Sequence, residues 1–353
     1  MSAVAAIGDT LWLTHDETVS VERLRIDATR ARLPRYGDHR RFDLRDFVAL
    51  PATSGTPDDP GVPEADIEGI AYGDGCLWLA GSHSAVRDDT EGSTASEAIG
   101  ALANVRRSGN RFLLARIPVE TDEAGPVLVR RHAGATARVR TAARLRGGRR
   151  DDALTRALRD DPHLGPFLSI PSKDNGFDIE GLAAAPGGRL FLGLRGPVID
   201  GWACMLELLI GTHRLRDHEL VLRKIAQGPK AAPHARYRKH FLDLGGAGIR
   251  DLCLAGRDLL ILTGPPMRGK GPSKVRQWRN ALGVRGERLI DGERLPTLLD
   301  LPYRAKKDHP EGIAVLGRTR DRARVIVIYD SAVRRRSLPP AAMRATLHDL
   351  PLR

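Results

Sequence analysis

The sequence predicts an all-β protein built as a β-propeller, and two recurring phrases carry that prediction. The first phrase is Asp66-Ile67-Glu68-Gly69-Ile70-Ala71, which returns at 177–183 and 309–314, more weakly at 249–254, and in a worn form at 2–5. The second is a short apolar strand that precedes the later copies and ends the chain, at 42–44, 167–171, 241–244, 298–302 and 347–351. Strand units that recur at such periods are typical of propellers, which leave few strand edges exposed.

Each copy of the first phrase is followed by a turn and a second apolar strand. After the copy at 66–71, Tyr72-Gly73-Asp74-Gly75 leads into Cys76-Leu77-Trp78-Leu79-Ala80. Two apolar runs joined by a tight turn rich in Gly and Asp are the signature of a β-hairpin. Each unit is therefore predicted to be a strand, a turn and a strand.

The spacing of the copies predicts the number of blades. The copies start near residues 2, 68, 180, 251 and 311, and five preceding strands go with five hairpins, so that the units close on themselves. The long step between the second and third copies leaves room for a large insertion or for a sixth blade. We therefore favour five blades in a single domain spanning 1–353, keep six as the alternative, and place an insertion at 120–165 in the second blade.

The predicted insertion is rich in arginine and partly helical. A helix is expected over 151–159, because Asp151 and Asp152 suit a helix N-terminus. Such a segment can be a lid, an arm for a partner or a solvated excursion. The stretch at 85–110, which is polar and contains Gly, Ser and Asp, is predicted to be a mobile loop. The arginines of the insertion are Arg130, Arg131, Arg138, Arg140, Arg144, Arg146, Arg149 and Arg150.

Composition limits the compartment and the partners. No run approaches the roughly 20 apolar residues of a membrane helix, and no charged start followed by an apolar run marks a signal peptide. The three cysteines, Cys76, Cys204 and Cys253, lie in apolar strands without close pairs, which argues against disulfides and zinc and favours a reducing cytoplasm. The net charge of +12 allows an acidic protein partner, whereas nucleic acid is disfavoured because no basic helix with interleaved aromatics is present.

The repeated phrase also predicts a site. The first strand of each blade lines the channel of a propeller, so that acidic side chains should gather at one mouth. The second strand returns to that mouth, and His83 and Arg195 each follow the glutamate of their copy by 15 residues (83 − 68 and 195 − 180). His15 comes from the first blade, and Arg250 and His309 flank their own copies. The expected acids are Asp66, Glu68, Asp178, Glu180, Asp251 and Glu311.

Several carboxylates at one mouth need compensation, and three arrangements supply it. A divalent cation such as Ca²⁺ can be held by oxygens, with Asp66, Asp178 and Asp251 as ligands. Arginines and histidines can pair with the acids. Each acid can instead accept backbone N–H groups of the neighbouring blade, as a structural latch. In the functional interpretation Glu68, Glu180, Glu311 and His83 are catalytic, and Arg195, Arg250, His309 and His15 bind the ligand.

The phrase Asp-Ile-Glu-Gly-Ile/Leu-Ala, followed by a Leu-Trp/Phe-Leu strand and Gly-Ser-His-Ser, resembles a bacterial family known as DUF3616. The resemblance covers 2–17, 66–84, 177–202, 249–265 and 309–330, and it implies a β-propeller of unassigned activity. More distantly, Asp-x-Glu-Gly starts are similar to those of phytase-like and esterase-like propellers, in which acidic channel mouths hold calcium and phosphate esters. The chain has no Gly-x-Ser-x-Gly elbow of the serine hydrolases.

Two hypotheses for function follow, and the sequence leaves open whether the protein is an enzyme. In the first, a cytoplasmic propeller binds a small polar or anionic ligand at the acidic mouth and hydrolyses it, with water activated by a metal. In the second, the propeller is a non-catalytic scaffold for protein–protein interaction, and its acids are structural latches.

Overall fold

The computed structural model describes residues 1–27, 35–52, 64–88, 90, 92–133, 139–226, 235–267, 271–301, 309–330 and 344–353. Arg138 of the predicted insertion lies outside these ranges. No helix within them is long and apolar enough to cross a membrane.

The first sheet is a four-stranded antiparallel meander at the N-terminus. Trp12 in its second strand stacks on Phe42 in its fourth, with 5.2 Å between ring centroids. Aromatic pairs of this kind stabilise a sheet beyond the area that they bury. The strands, paired in chain order, are β1 (Val4–Ile7), β2 (Thr10–Thr14), β3 (Ser20–Asp27) and β4 (Arg35–Asp43).

The second sheet carries the insertion. Its strands pair in the order β5, β6, β9, and β9 also pairs with β10 and β13. The elements are β5 (Ile67–Gly73), β6 (Cys76–Gly81), β7 (Val86–Arg87), α1 (Ala95–Ala103), β8 (Val105–Arg106), β9 (Leu114–Asp122), β10 (Gly125–Leu128), β11 (Arg131–His132), β12 (Arg140–Thr141), β13 (Ala143–Leu145) and α2 (Ala153–Leu158).

One local expectation about this region was wrong. The stretch at 85–110 contains two short strands and helix α1, which Thr94 and Glu97 close with a reciprocal capping box. The insertion at 120–165 is built into the protein rather than projecting from it, because Leu154 and Leu158 of α2 have no exposed surface and pack in the largest core cluster. The helix expected over 151–159 is confirmed as α2.

The third sheet is continuous with the second. Strand β17 pairs with β16 on one side and in parallel with β13 on the other, which joins the two sheets into one of 11 strands. The second recurring phrase at 167–171 is not a strand: Gly165–Ser169 form a 3-10 helix with proline in its first turn. The strands are β14 (Asp178–Ala185), β15 (Arg189–Ile199), β16 (Trp202–Thr212), β17 (Glu219–Leu222) and β18 (Tyr237–Asp243).

The last two sheets complete the molecule. The fourth pairs β19, β20, β21 and β23, the fifth pairs β24, β25 and β26, and β22 adds to β18 of the third. The strands are β19 (Gly248–Ala255), β20 (Asp258–Gly264), β21 (Ser273–Trp278), β22 (Arg288–Ile290), β23 (Thr297–Leu301), β24 (His309–Arg318), β25 (Arg322–Asp330) and β26 (Arg344–Pro351).

The fold is a β-propeller, as predicted. The innermost strands contact one another in the cyclic order β1, β5, β14, β19, β24 and back to β1. Glycine after the repeated glutamate permits this approach, since a Cβ on Gly69 would lie 2.7 Å from Cβ of Leu182 and one on Gly181 would lie 2.9 Å from Cγ of Leu252. The described residues hold five such hairpins; because the second and third sheets are continuous, the number of blades stays a prediction.

Candidate functional site

A β-bulge occurs at the same place in four of the five innermost hairpins. In each, the pairing register skips one residue, namely Glu68, Glu180, Arg250 or Glu311. A bulge bends its strand and re-aims the side chain of the extra residue. In the first hairpin Ser2 takes the equivalent position, because Val4 pairs with Leu13 as Ile70 pairs with Leu79. We call these five residues the mouth ring.

The fourth position of the mouth ring is a cation. The sequence analysis aligned Asp251 with Glu68, and the pairing register corrects this by one residue, to Arg250. Arg250 lies between two acids of the ring: its Nε is 2.9 Å from Oε2 of Glu180, and its guanidinium also pairs with the carboxylate of Glu311. The predicted acids therefore gather at the mouth together with an arginine that neutralises two of them.

Arg195 provides the second cation, as the 15-residue spacing predicted. Its Nη2 lies 2.7 Å from Oδ2 of Asp178 and its Nη1 lies 2.8 Å from Oε1 of Glu180. All three side chains are largely buried. Burial alone would lower the pKa of Arg195, but Glu180 and Asp178 raise it, so that the guanidinium stays charged. Glu180 is thus held by Arg195 and Arg250 together.

Arg111 provides a third cation, which the sequence analysis missed. It pairs with Asp66, lies 2.7 Å from Glu64 through Nη2, and donates to the hydroxyl of Ser84 at 3.0 Å. Arg111 stands just before β9, at the end of that strand nearest the close of β6. Because β9 runs antiparallel to β6, its first residues lie beside the end of β6 at the mouth. An arginine just before β9 could therefore have been predicted from the sequence to lie at the mouth.

Glu68 differs from the other acids of the mouth ring. Among the described residues it makes no hydrogen bond or ion pair, since its neighbours in the ring are Ser2 and Glu180 rather than an arginine. It is surrounded by protein yet keeps part of its surface in contact with solvent, as expected for a side chain that lines a channel. Burial, and then the charges of Asp66 and Glu180, raise the pKa of Glu68 well above its usual value.

Two aspartates beside the mouth ring also hold protons more tightly than usual. Burial raises the pKa of Asp178 to about 7, with Glu180 and Asp66 adding to the shift and Arg195 opposing it. Burial also raises the pKa of Asp66, against the opposing effect of Arg111. Titratable groups with strongly shifted pKa values that gather in a cleft are typical of functional sites.

The family model described as "Protein of unknown function (DUF3616)" matches residues 1–346. The chain belongs to that family. No functionally curated protein matches it. Among solved structures it is similar to the PQQ-bound form of the aldose sugar dehydrogenase from Streptomyces coelicolor, with 12% identity and a TM-score of 0.36 over 99% of this chain and 93% of that chain. A likeness of this size does not bear on the chemistry of the DUF3616 protein.

Asp251 of the DUF3616 protein is a structural latch. Its Oδ1 accepts from the backbone N–H of Leu252 at 2.7 Å, and its Oδ2 accepts from that of Ile313 in β24 at 2.8 Å. The backbone of Leu182 in β14 donates to it as well. Asp251 has no exposed surface, and burial raises its pKa well above the usual value. One carboxyl group therefore joins the innermost strands of three neighbouring hairpins.

His83 is engaged away from the mouth ring. Its side chain is fully buried, with Nδ1 2.8 Å from the carbonyl oxygen of Gly81 and Nε2 3.0 Å from Oδ2 of Asp152 at the start of α2. Burial alone would lower the pKa of His83, but the charge and hydrogen bond of Asp152 raise it. Both ring nitrogens face acceptors, which favours a structural role for His83 over the predicted catalytic one.

The two other predicted histidines lie at the margin of the site. His15 follows β2, where its Nδ1 accepts from the backbone N–H of Glu17 at 3.1 Å and lies 3.2 Å from Asp16. His309 begins β24 and is exposed. It stands two residues before Glu311, the position that Asp66 and Asp178 hold in their own copies. The ligand-binding role of both histidines stays a prediction.

The three carboxylates predicted to bind a metal have separate partners. Asp66 pairs with Arg111, Asp178 pairs with Arg195, and Asp251 accepts from backbone N–H groups. In the described ranges no three His, Cys, Asp or Glu side chains are grouped as a metal site requires. These residues do not fit a shared divalent cation in this arrangement.

Proposed function

We propose that this protein binds a small, polar, uncharged ligand at the mouth ring and hydrolyses it, with Glu68 as the proton donor. The supporting observation is the state of Glu68: it retains contact with solvent, has no partner within the described ranges, and has a pKa raised well above its usual value. A carboxylic acid that stays protonated near neutral pH and can reach a ligand is the group that general acid catalysis needs.

In this proposal the other charged residues of the mouth hold the carboxyl groups in place for the ligand. Arg195 and Arg250 fix Glu180 from two sides, and Glu180 in turn helps to keep Glu68 protonated by its negative charge. These contacts leave the side chains little freedom, so that carboxylate oxygens are held ready to accept hydrogen bonds from ligand hydroxyl groups.

The charge balance favours an uncharged ligand over the anion that the sequence analysis also considered. Among the described residues, the mouth holds five carboxyl groups and three guanidinium groups, and each of these guanidinium groups is already paired with carboxylates. An incoming anion would therefore meet no described guanidinium group at the mouth that lacks a partner. The acids are Asp66, Glu68, Asp178, Glu180 and Glu311, and the cations are Arg111, Arg195 and Arg250.

A comparison of matched variants tests the proposal. The purified protein is assayed against uncharged chromogenic esters and glycosides, and binding of uncharged alcohol and sugar products is followed by calorimetry. Glu68→Gln should reduce kcat by about 100-fold or more, as expected for loss of a general acid, while keeping the fold. Glu123→Gln, in the exposed turn between β9 and β10, should leave turnover unchanged. Equal turnover in both variants, or no binding and no turnover anywhere in the panel, would contradict the proposal.

One observation favours the second candidate function, a scaffold for another protein. Helix α1 buries none of its residues, and the side chains of Ile99 and Leu102 are 71% and 53% exposed. A scaffold would lose its partner in Ile99→Ser/Leu102→Ser and keep it in Glu68→Gln.

We place this function in the cytoplasm. Cys76, Cys204 and Cys253 are all unpaired, and the first two are buried. Burial raises the pKa of Cys76 to about 11, so that the thiol is unreactive. Unpaired buried thiols are typical of proteins of reducing compartments.

A further inference from the structure

A basic cavity lies on the face of the propeller opposite the mouth ring. Its volume is about 490 Å³. Arg189 begins β15 just after the turn that follows β14, and Arg257 stands in the turn between β19 and β20. Glu180 lies near the other end of β14. At about 3.3 Å per residue, the cavity is roughly 20 Å from the mouth. We call it the rear cavity.

The rear cavity concentrates positive charge. Among the described residues, five basic side chains and one acid line it, which gives these residues a formal charge of +4 (five minus one). The acid, Glu207, has no exposed surface, so it does not itself present a charge to solvent. The basic residues are Arg189, Lys224, Arg238, Arg257 and Arg285.

Glu207 organises the floor of the rear cavity. Its carboxylate pairs with Nε of Arg189 and accepts from Nη1 of Arg238 at 3.1 and 3.2 Å, and Nε2 of His240 lies 3.0 Å from Oε2. Arg189 also donates to the carbonyl oxygen of Leu282 at 2.7 Å. Two arginines are thus held in fixed positions, which is what distinguishes a formed site from arginines scattered over a basic surface.

The rim supplies cations that the protein does not neutralise. Lys224 and Arg285 are exposed and make no hydrogen bond or ion pair with other described residues. Arg257 uses Nε to donate to Oδ1 of Asn280 at 2.9 Å, and its exposed side chain keeps the two Nη groups available. Guanidinium and ammonium groups at such a rim match phosphate oxygens in charge and in hydrogen-bond geometry.

The walls between the floor and the rim are apolar. Leu209, Ile225, Leu282 and Val284 line them. Apolar walls with convergent polar groups are typical of sites for small organic ligands, and the volume lies within the usual range. A ligand with an organic body and several negative charges would use both parts of the surface.

We propose that the rear cavity binds a small organic phosphate ester with two or more negative charges. Lys224, Arg257 and Arg285 contact the phosphates, the buried pair Arg189 and Arg238 forms the floor, and the aliphatic walls pack against the organic body. This site is independent of the mouth ring, where the guanidinium groups of the described residues are already paired with carboxylates.

Calorimetry at physiological ionic strength tests the proposal, with ATP, inorganic pyrophosphate and adenosine as probes. ATP should bind one to one and more tightly than pyrophosphate, and adenosine should not bind. Lys224→Ala/Arg285→Ala should weaken ATP binding by about tenfold or more, since each charge-assisted hydrogen bond is strong. The control Arg214→Ala/Arg320→Ala removes two exposed charges elsewhere and should change the affinity less than about twofold.

Three results would overturn the proposal. The first is that neither ATP nor pyrophosphate binds. The second is an equal loss of affinity in the two double variants, which would show attraction to the overall charge only. The third is that ATP binds no more tightly than pyrophosphate, which would remove the organic body from the recognised class.

Discussion

At the scale of single residues, the side chains at the four bulged positions of the mouth ring explain why, among the described residues, Glu180 and Glu311 are paired with an arginine and Glu68 is not. Arg250 replaces the repeated glutamate in the fourth hairpin and serves the glutamates on either side of it, Glu180 and Glu311. Glu68 lies on the far side of Glu180, next to Ser2. Arg250 thus neutralises Glu180 and Glu311 but does not pair with Glu68. Glu68 is the candidate proton donor.

Replacement of glutamate by glutamine should change the free energy of unfolding very differently at positions 180 and 68. Glu180→Gln leaves Arg195 and Arg250 with less compensating charge in a buried setting, and we expect it to reduce the free energy of unfolding by about 3 kcal/mol. If Glu68 is protonated as proposed, Glu68→Gln replaces a neutral acid by a neutral group of the same shape, and the change should stay within about 0.5 kcal/mol or be stabilising. Denaturant unfolding measures both. Equal destabilisation would show that Glu68 is ionised and paired.

At the scale of elements, α2 is joined to the propeller through its N-cap residue, Asp152. Asp152 caps the helix by accepting from the backbone N–H of Thr155 at 2.9 Å, and the same carboxylate pairs with His83. The insertion is therefore held by a buried contact between residues that are 69 positions apart in the chain.

Removal of this contact should destabilise the protein far more than removal of an exposed cap. Asp152→Ala loses the cap and leaves His83 without its partner, for an expected cost of about 3 kcal/mol or more. Thr94→Ala removes the corresponding cap of exposed α1 and should cost about 1 kcal/mol at most. Thermal and denaturant unfolding compare the two variants. A similar small effect in both would mean that the pair of Asp152 and His83 contributes little.

The sequence predicted these elements unevenly, and the reasons are physical. Five hairpins were readable because alternating apolar runs and Gly/Asp turns are local signals. The strand expected at 167–171 was wrong because Pro166 and the local backbone favour a 3-10 turn. Helix α1 could have been found from its capping box, Thr94-x-x-Glu97.

The site was predictable only in part. The repeat located Glu68, Glu180 and Glu311, and the 15-residue spacing located Arg195. Arg250 takes the ring position because Ile249-Arg250-Asp251-Leu252 has the register of Ile67-Glu68-Gly69-Ile70, which puts Asp251 at the place of the repeated glycine. The partnership of His83 with Asp152 depends on how the insertion folds back, which no local pattern records.

At the scale of the whole molecule, the mouth makes stability depend on pH. The folded-state pKa values of Glu68 and Asp178 lie above their unfolded values, and that of Asp178 is about 7. The folded protein therefore retains protons that the unfolded chain releases from about pH 4 upwards. The contribution of these groups to the free energy of unfolding consequently falls as pH rises through that window.

A series of melting curves between pH 5 and pH 8 checks the sign, where the pH limits are set roughly by these pKa values. The melting temperature of the unmodified protein should fall as the pH rises through this range. The fall should be smaller in Glu68→Gln, because the glutamine side chain cannot release a proton. His83, whose pKa is raised, acts in the same direction above its unfolded pKa and remains in the variant. An identical pH profile in the variant would contradict a shifted pKa at Glu68.

The most direct test of the central claim is the infrared spectrum of the protonated carboxyl groups at neutral pH. Protonated carboxyls give a C=O stretching band that ionised carboxylates lack. If Glu68 is protonated in the folded protein, the difference spectrum between the unmodified protein and Glu68→Gln will show the loss of such a band, and the exposed control Glu123→Gln will show none. An unchanged band in Glu68→Gln would mean that Glu68 is ionised at neutral pH, and the proposed proton donor would be ruled out.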